Sequence, residues 1–181
     1  MRLALPAFLL ALLASASALA AGPENTLYID LKDNCRVVIE MRPDLAPKHV
    51  AQIKKLAREG KYDGIVFHRV IAGFMAQTGD PEGTGKGGMG EKLPAEFSKE
   101  PHVRGAVSMA RTPNDINSAR SQFFIVLKDS NFLDGQYTVW GKVTKGMECV
   151  DKIKKGDPQS GAVPPPQDKM IRVRVAADVK E

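Results

Sequence analysis

Short apolar segments recur along the chain, several of them alternating apolar with polar residues, and this pattern predicts β-strands. The first two segments lie on either side of Asp33 and Asn34, residue types that favour a tight turn, so together they predict a β-hairpin. The predicted strands are 26–31, 36–41, 65–71, 103–110, 122–127, 138–143 and 171–175.

A helical period replaces the strand pattern in two places. In the first, Pro47 suits an initial helical turn and Gly60 a C-terminal stop, which predicts a helix over 47–59. Its apolar stripe consists of Val50, Ile53, Leu56 and Ala57. A second helix is expected over 147–154. Many short strands with two separated helices predict an antiparallel β-barrel or sandwich whose open ends the helices cover.

The first 20 residues have the organisation of a signal peptide. Arg2 supplies a positive charge, residues 3–13 form an apolar run too short to span a bilayer, and Ala18-Leu19-Ala20 matches a cleavage site. A retained N-terminal anchor is the alternative. Cleavage after Ala20 would leave one domain over 21–181, shorten the chain from 181 to 161 residues and lower its formal net charge from +5 to +4. We expect a periplasmic protein without membrane attachment, with release to the medium as the alternative.

The composition, 43% hydrophobic and 26% charged residues, is that of a globular domain. Acidic residues are interleaved with the basic ones, and the longest basic clusters are the pairs Lys54-Lys55 and Lys154-Lys155, so we expect no nucleic-acid partner. The sequence contains no coiled-coil heptad and no long apolar strand suited to exposure. We therefore expect a monomer.

The two cysteines, Cys35 and Cys149, could pair in an oxidising compartment, but their spacing does not decide it. Sulfurs at remote positions are more often separate, buried small hydrophobes, which is the expectation favoured here. The cysteines and the three histidines show no metal-ligand spacing, so we expect no metal.

Familiar motifs and candidate catalytic residues are absent or lack the context that they need. Residues 83–88 satisfy the glycine pattern of a dinucleotide site, but no helix follows, so they are interpreted as a tight loop. No G-x-S-x-G motif is present for nucleophilic hydrolysis. His68 lies in an apolar strand, where a structural, hydrogen-bonded imidazole is expected rather than a catalytic one. Asp80 and Asp134 adjoin turn glycines, where capping of backbone N–H groups explains them.

A different set of residues remains, in segments 67–77, 108–111, 121–125 and 132–135. These segments combine the arginine of the first segment with Phe, Met, Gln and Leu residues, and no acid or base accompanies them. This combination predicts an apolar cleft with one cationic donor, suited to an uncharged apolar group next to a carbonyl.

Five motifs in this order give the chain a specific resemblance: FHRVIAGFMAQTGD, SMAR, SQFFIVL, FLDGQYTVWGKV and KGMECVDKI. From about residue 26 to residue 175, the sequence resembles the cyclophilin-type peptidyl-prolyl cis-trans isomerases. The resemblance implies a mainly β fold, a closed eight-stranded antiparallel β-barrel capped by two α-helices. It also implies proline-containing polypeptides, such as unfolded or exported proteins, as substrates, and it implies no cofactor.

The resemblance assigns roles to individual residues. It makes Arg69 the catalytic residue and builds a proline pocket from Phe74, Met75, Phe124 and Leu133. Gln77, Gln122 and the main chain of Arg111 would bind the substrate backbone. The remaining substrate-binding residues that it implies are Ala110, Phe132 and Tyr137.

Three positions depart from the pattern of many eukaryotic members. Phe132 stands in place of Trp, Tyr137 in place of His, and Ala72 in place of Pro. Loss of the indole N–H removes a donor that cyclosporin-type ligands use, so weak binding of these ligands is expected.

Structural or binding-only roles for the same residues remain open as alternatives. Arg69 could be a structural strand arginine paired with an acid, and Phe74, Met75 and Phe124 could belong to the ordinary barrel core. The cleft could also serve a binding module that holds proline-containing segments without turnover.

Overall fold

A computed structural model describes residues 22–180, and the predicted signal peptide over 1–20 lies outside the described residues. Eight strands and two α-helices follow in the order β1 Thr26–Asp30, β2 Arg36–Met41, α1 Pro47–Arg58, β3 Arg69–Ile71, β4 Met75–Thr78, β5 Ala106–Met109, β6 Phe123–Val126, β7 Val139–Lys145, α2 Met147–Asp151 and β8 Arg172–Val175. Within these residues, no helix combines the length and the apolar character needed to cross a bilayer.

The eight strands form one antiparallel sheet in the order β3-β4-β6-β5-β7-β2-β1-β8, curled into a half-barrel, which confirms the predicted fold class. The edge strands β3 and β8 do not pair with each other in the described chain. Segment 156–171 lies between them. The N–H of Val70 in β3 donates to the carbonyl of Gly161 (2.8 Å), and the N–H of Ile171 donates to the carbonyl of Asp30 in β1 (2.8 Å). An irregular segment thus pairs with the free edge of β3 before the chain enters β8.

The predicted hairpin is present, with β1 and β2 paired and the turn at Asp33 and Asn34. Both turn residues adopt the left-handed conformation, with φ of 59° and 54°, which Asp and Asn tolerate better than most residues. Alternate side chains of the two strands point into the barrel and are buried: Leu27, Ile29, Val37, Ile39 and Met41.

Strand β4 was not predicted. Three of its four residues are buried, so it shows no alternation, and at four residues it is too short to be separated from its glycine-containing surroundings. The predicted strand 65–71 is also shorter than expected. Only Arg69–Ile71 joins the ladder, while Val66 makes an isolated bridge to Lys169.

Helix α1 buries the predicted apolar stripe together with His49. Its N-cap residue Ala46 offers no capping side chain. The carboxylate of Glu96 caps the helix instead, accepting the N–H groups of Lys48 and His49 (both 3.1 Å) and contacting Nδ1 of His49 at 2.6 Å. Helix α2 ends earlier than predicted, because the N–H of Lys154 donates to the carboxylate of Asp168 (2.7 Å) and leaves the helical path.

Cys35 and Cys149 form a disulfide, so the expectation of two separate buried thiols is wrong. The bond joins the residue that precedes β2 to helix α2, with the two Cα atoms 5.7 Å apart. The sequence did not reveal this proximity, because 114 positions separate the two residues and only the sheet order brings α2 beside β2.

Candidate active site

The sheet register places the predicted site residues in one row. Arg69 in β3 lies opposite Gln77 in β4, and Gln77 lies opposite Phe124 in β6. Met75, two residues before Gln77, shares its face of the sheet. Strand pairing alone therefore sets a cationic side chain beside an amide and an aromatic ring.

A second apolar cluster, separate from the barrel core, lies on this face. Its buried members are Met75, Ala106, Phe124, Val126 and Leu133. The half-buried side chains of Ile71, Phe74, Ala110 and Tyr137 pack against it. Met75 and Phe124 thus do not belong to the ordinary barrel core.

Aromatic rings shape the open side of this cluster. The ring of Phe74 lies 5.4 Å from that of Phe132, which is 66% exposed and forms the rim. Phe124 and Tyr137 pack edge to face with their centroids 5.7 Å apart. The result is an apolar cluster with an exposed aromatic rim, a surface suited to binding a small apolar ring.

The guanidinium of Arg69 is held by neutral groups. Its Nε donates to the carbonyl of Ser160 (3.1 Å) and its Nη1 to Oε1 of Gln77 (3.3 Å). Nη1 also lies 4.0 Å from Sδ of Met75. No carboxylate among residues 22–180 pairs with Arg69, so the alternative of a strand arginine paired with an acid does not hold there. No carboxylate there therefore offsets the positive charge at the edge of the apolar cluster.

A chain of hydrogen bonds continues from Gln77. Its Nε2 donates to Oε1 of Gln122 (2.9 Å). Nε2 of Gln122 donates in turn to the carbonyls of Gly85 (3.1 Å) and Gly87 (2.7 Å). These bonds fix the orientation of both amides relative to Arg69.

Asp80 organises the glycine-rich loop that receives Gln122. Its carboxylate, 1% exposed, accepts the N–H groups of Glu82, Thr84, Gly85 and Gly87 at 2.6 to 3.2 Å. Burial alone would raise the pKa of Asp80, but these four donors outweigh burial and hold it below its ordinary value. The predicted capping role of Asp80 is confirmed, and the glycines at 83–88 serve a loop wrapped around this carboxylate.

His102 was not singled out by the sequence, yet it supports the apolar cluster from behind. Its fully buried ring lies 6.2 Å from that of Phe124, stacked at 19°. Nδ1 contacts the carboxylate of Asp134 (2.9 Å) and Nε2 contacts Oγ of Ser108 (3.1 Å). Asp134 also accepts the backbone N–H of His102 (2.8 Å), the first cause of the lowered pKa of Asp134. Asp134 therefore caps a backbone group, as predicted, and orients an imidazole as well.

His68 is buried beside Arg69 but is not hydrogen-bonded as expected. Neither ring nitrogen has a hydrogen-bond partner in the part of the chain that the structure describes. The side-chain N–H groups of Gln122 are donated to the carbonyls of Gly85 and Gly87. Burial lowers the pKa of His68.

Beyond the two glutamines the cleft opens into a cavity of about 400 Å³, which Ala110 and Arg111 also line. The guanidinium of Arg111 stacks on the ring of Tyr137 at 4.6 Å. All eleven residues predicted for the site thus lie in one continuous region. No group of three His, Cys, Asp or Glu side chains within residues 22–180 could hold a metal ion.

Comparison with known proteins agrees with this geometry. Residues 26–175 match the family model described as cyclophilin type peptidyl-prolyl cis-trans isomerase/CLD. A Brucella suis protein described as "Probable peptidyl-prolyl cis-trans isomerase" is 58% identical over 178 residues, covering 91% of this chain and 89% of its own. Peptidyl-prolyl cis-trans isomerase B of Bacillus subtilis is 46% identical over 135 residues, covering 74% of this chain and 93% of its own.

Solved structures show the same fold. Cyclophilin AquaCyp293 from Hirschia baltica has a TM-score of 0.76 and 30% identity, covering 88% of this chain and 77% of its own. A Cryptosporidium parvum cyclophilin crystallised in the presence of the dipeptide Ala-Pro has a TM-score of 0.75 and 28% identity, covering 83% of this chain and 98% of its own. The chain therefore belongs to the cyclophilin-type peptidyl-prolyl cis-trans isomerases.

Proposed function

We propose that Arg69 catalyses rotation about X-Pro peptide bonds while the apolar cluster holds the proline ring. One observation carries this proposal. A guanidinium with no carboxylate partner in the described chain lies at the edge of an apolar cluster that is separate from the barrel core.

The reaction needs a donor rather than an acid-base pair. Resonance in the X-Pro amide opposes rotation with a barrier of about 20 kcal/mol. In the twisted transition state the resonance is lost and the proline nitrogen gains lone-pair density. An N–H group directed at that nitrogen stabilises the twisted amide more than either planar isomer, and so it lowers the barrier. No bond is broken and no proton moves, so the chemistry calls for no cofactor.

The apolar cluster has two roles in this mechanism. Burial of the proline ring against Phe74, Met75, Phe124 and Leu133 supplies binding free energy. It also excludes water, which would otherwise stabilise the planar, more polar amide. Phe132, at the exposed rim beside Phe74, adds apolar surface for the ring to contact.

The substrate backbone pairs with polar groups along the same row. Gln77 and Gln122 offer amides already oriented by hydrogen bonds, and Arg111, whose main chain is the proposed contact, is among the residues that line the adjoining cavity. The Cryptosporidium parvum relative, crystallised in the presence of Ala-Pro, supports an X-Pro ligand in a fold of this kind. Binding of cyclosporin-type ligands is weak, because Phe132 has no indole N–H to donate.

The physiological role is assistance to the folding of exported proteins in the periplasm. The signal-peptide pattern of residues 1–20 supports export. The disulfide between Cys35 and Cys149 supports an oxidising compartment.

A refolding assay tests this function against simple binding of proline-containing segments. The client is a denatured protein whose slow refolding phase is limited by X-Pro isomerisation. Wild type should accelerate that phase, while Arg69→Ala should not, although it remains folded. If both proteins suppress client aggregation equally and neither changes the refolding rate, the protein is a binding module instead.

A further inference from the structure

The cavity that adjoins the apolar cluster is lined by positively charged side chains and by no negatively charged ones. Gln77 and Gln122 form its border with the cluster, and the glycine-rich loop forms the opposite side. Four cationic side chains line it: Lys86, Lys92, Arg111 and Arg120. No Asp or Glu is among the residues that line it.

Most of this positive charge has no counter-ion nearby. Lys92 forms an exposed ion pair with Asp115 at 3.5 Å. By contrast, Lys86, Arg111 and Arg120 form no ion pair with any carboxylate over 22–180.

The two arginines are held by groups that carry no net charge. Arg111 donates only to backbone carbonyls, those of Gln136 (3.1 Å), Thr112 (3.0 Å) and Pro113 (3.0 Å). Arg120 donates from Nε to the carbonyl of Gly90 (2.9 Å). These bonds position the guanidinium groups but leave their charges uncompensated.

The backbone groups of the glycine-rich loop are mostly used by the protein itself and so do not compete for a ligand. The N–H groups of Gly85 and Gly87 are used by Asp80, and their carbonyls are used by Gln122. The charged groups that a ligand meets in this cavity are therefore cationic donors, which suit an anionic acceptor.

We propose that this cavity is a specificity subsite for a client's acidic side chain, Asp or Glu, two or three residues from the isomerised proline. The hydrogen-bonded row from Arg69 through Gln77 to Gln122 leads from the apolar cluster into the cavity. An extended peptide advances about 3.3 Å per residue, so a few residues cover this path. The inference rests on the proposed role of the cluster as the proline site.

The test uses Ala-Pro peptides in matched pairs that differ only by Glu or Gln, placed two or three residues before or after the proline. Two-dimensional exchange NMR with the full protein gives kcat/KM for each peptide. In 20 mM salt, the better-placed Glu peptide should be favoured about three- to tenfold over its Gln partner. The ratio should approach one in 500 mM salt, where screening is strong.

Two variants connect this preference to the cavity. Lys86→Gln should lower the Glu-to-Gln ratio, and Lys86→Glu should lower it further, because a carboxylate then offsets part of the charge of the three cations that remain. The matched control is Lys145→Gln, an exposed lysine at the end of β7 that does not line the cavity, and it should keep the wild-type ratio.

Equal rates for every Glu and Gln pair in low salt, with the neutral peptides still isomerised, would overturn the subsite and leave the isomerase function standing. A preference that Lys86→Glu leaves unchanged would also overturn it, because the selectivity would then arise elsewhere. Loss of turnover on the neutral peptides would instead count against the proposed proline site.

Discussion

Arg69 and Gln77 face each other across the β3–β4 ladder, and Nη1 of the arginine donates to Oε1 of the glutamine at 3.3 Å. The amide of Gln77 cannot rotate freely, because its Nε2 is bound to Gln122 at 2.9 Å. Oε1 of Gln77 therefore faces the guanidinium of Arg69 and restricts the orientation of the guanidinium. A donor for a developing lone pair must be oriented before the reaction, and Gln77 supplies that orientation.

Replacement of Gln77 by alanine should lower kcat by about ten- to 100-fold, since a hydrogen bond to a charged group contributes about 1.5 to 3 kcal/mol. Exchange NMR at saturating X-Pro peptide measures this loss. Thermal unfolding should change little, because Gln77 is only half-buried. Unchanged kcat in a folded Gln77→Ala protein would show that Arg69 is oriented without it.

Asp80 should matter for stability and turnover together. Three of the four N–H groups that Asp80 accepts, those of Thr84, Gly85 and Gly87, go to Oδ2, and that of Glu82 goes to Oδ1. Asp80→Asn removes the negative charge and places an NH₂ group, which cannot accept, at one of these two positions. We expect a loss of about 2 kcal/mol in the free energy of unfolding and a lower kcat as the support of Gln122 loosens. Urea denaturation and exchange NMR measure the two effects. The control is Asp129→Asn, whose carboxylate accepts one N–H, that of Arg104 (2.8 Å). Equal effects from both variants would contradict the role of the loop.

Activity should be independent of pH between about pH 6 and 8. Arg69 remains charged throughout this range. Burial lowers the pKa of the neighbouring His68 below its ordinary 6.5, so the imidazole gains its proton only as the pH falls below that value. We expect a flat profile of kcat/KM for wild type and for His68→Gln. A bell-shaped profile with slopes near one would indicate a titrating catalytic group instead.

Reduction of the Cys35–Cys149 disulfide should destabilise the protein by about 3 to 5 kcal/mol, because the bond closes a loop of 114 positions. Urea denaturation with and without dithiothreitol measures this difference. A double variant, Cys35→Ala with Cys149→Ala, should be destabilised similarly and should not respond to the reductant. The reduced protein, where folded, should retain activity, since the bond joins β2 and α2 rather than the strands of the site. Loss of activity without loss of folding would contradict this separation.

The sequence predicted the elements whose pattern is local. Strand β2 begins and ends where the alternation does, and α1 differs from its prediction by one residue. Strand β4 was missed because its burial on both faces removes the alternation that marks a strand. The disulfide was misjudged because the contact of α2 with β2 depends on the order of strands in the sheet, which periodicity does not contain.

In the site, too, some features could be predicted from the sequence and others depend on the folded structure. The resemblance proposed Arg69, Gln77 and the aromatic residues, and strand register brings them together. It gave no reason to single out His102, whose support of Phe124 comes from three-dimensional packing. The charge of the adjoining cavity was also hidden, because Lys86 and Arg120 are 34 positions apart and only the folded loop places them on one wall.

The most direct test of the account is exchange NMR of a short X-Pro peptide with wild type and Arg69→Ala, with peptide affinity measured in the same titration. Because Arg69 acts on the twisted amide and the apolar cluster holds the ring, Arg69→Ala should lower the exchange rate by about 100-fold or more while affinity changes little. A folded Arg69→Ala protein that isomerises the peptide at the wild-type rate would contradict the assignment of catalysis to Arg69.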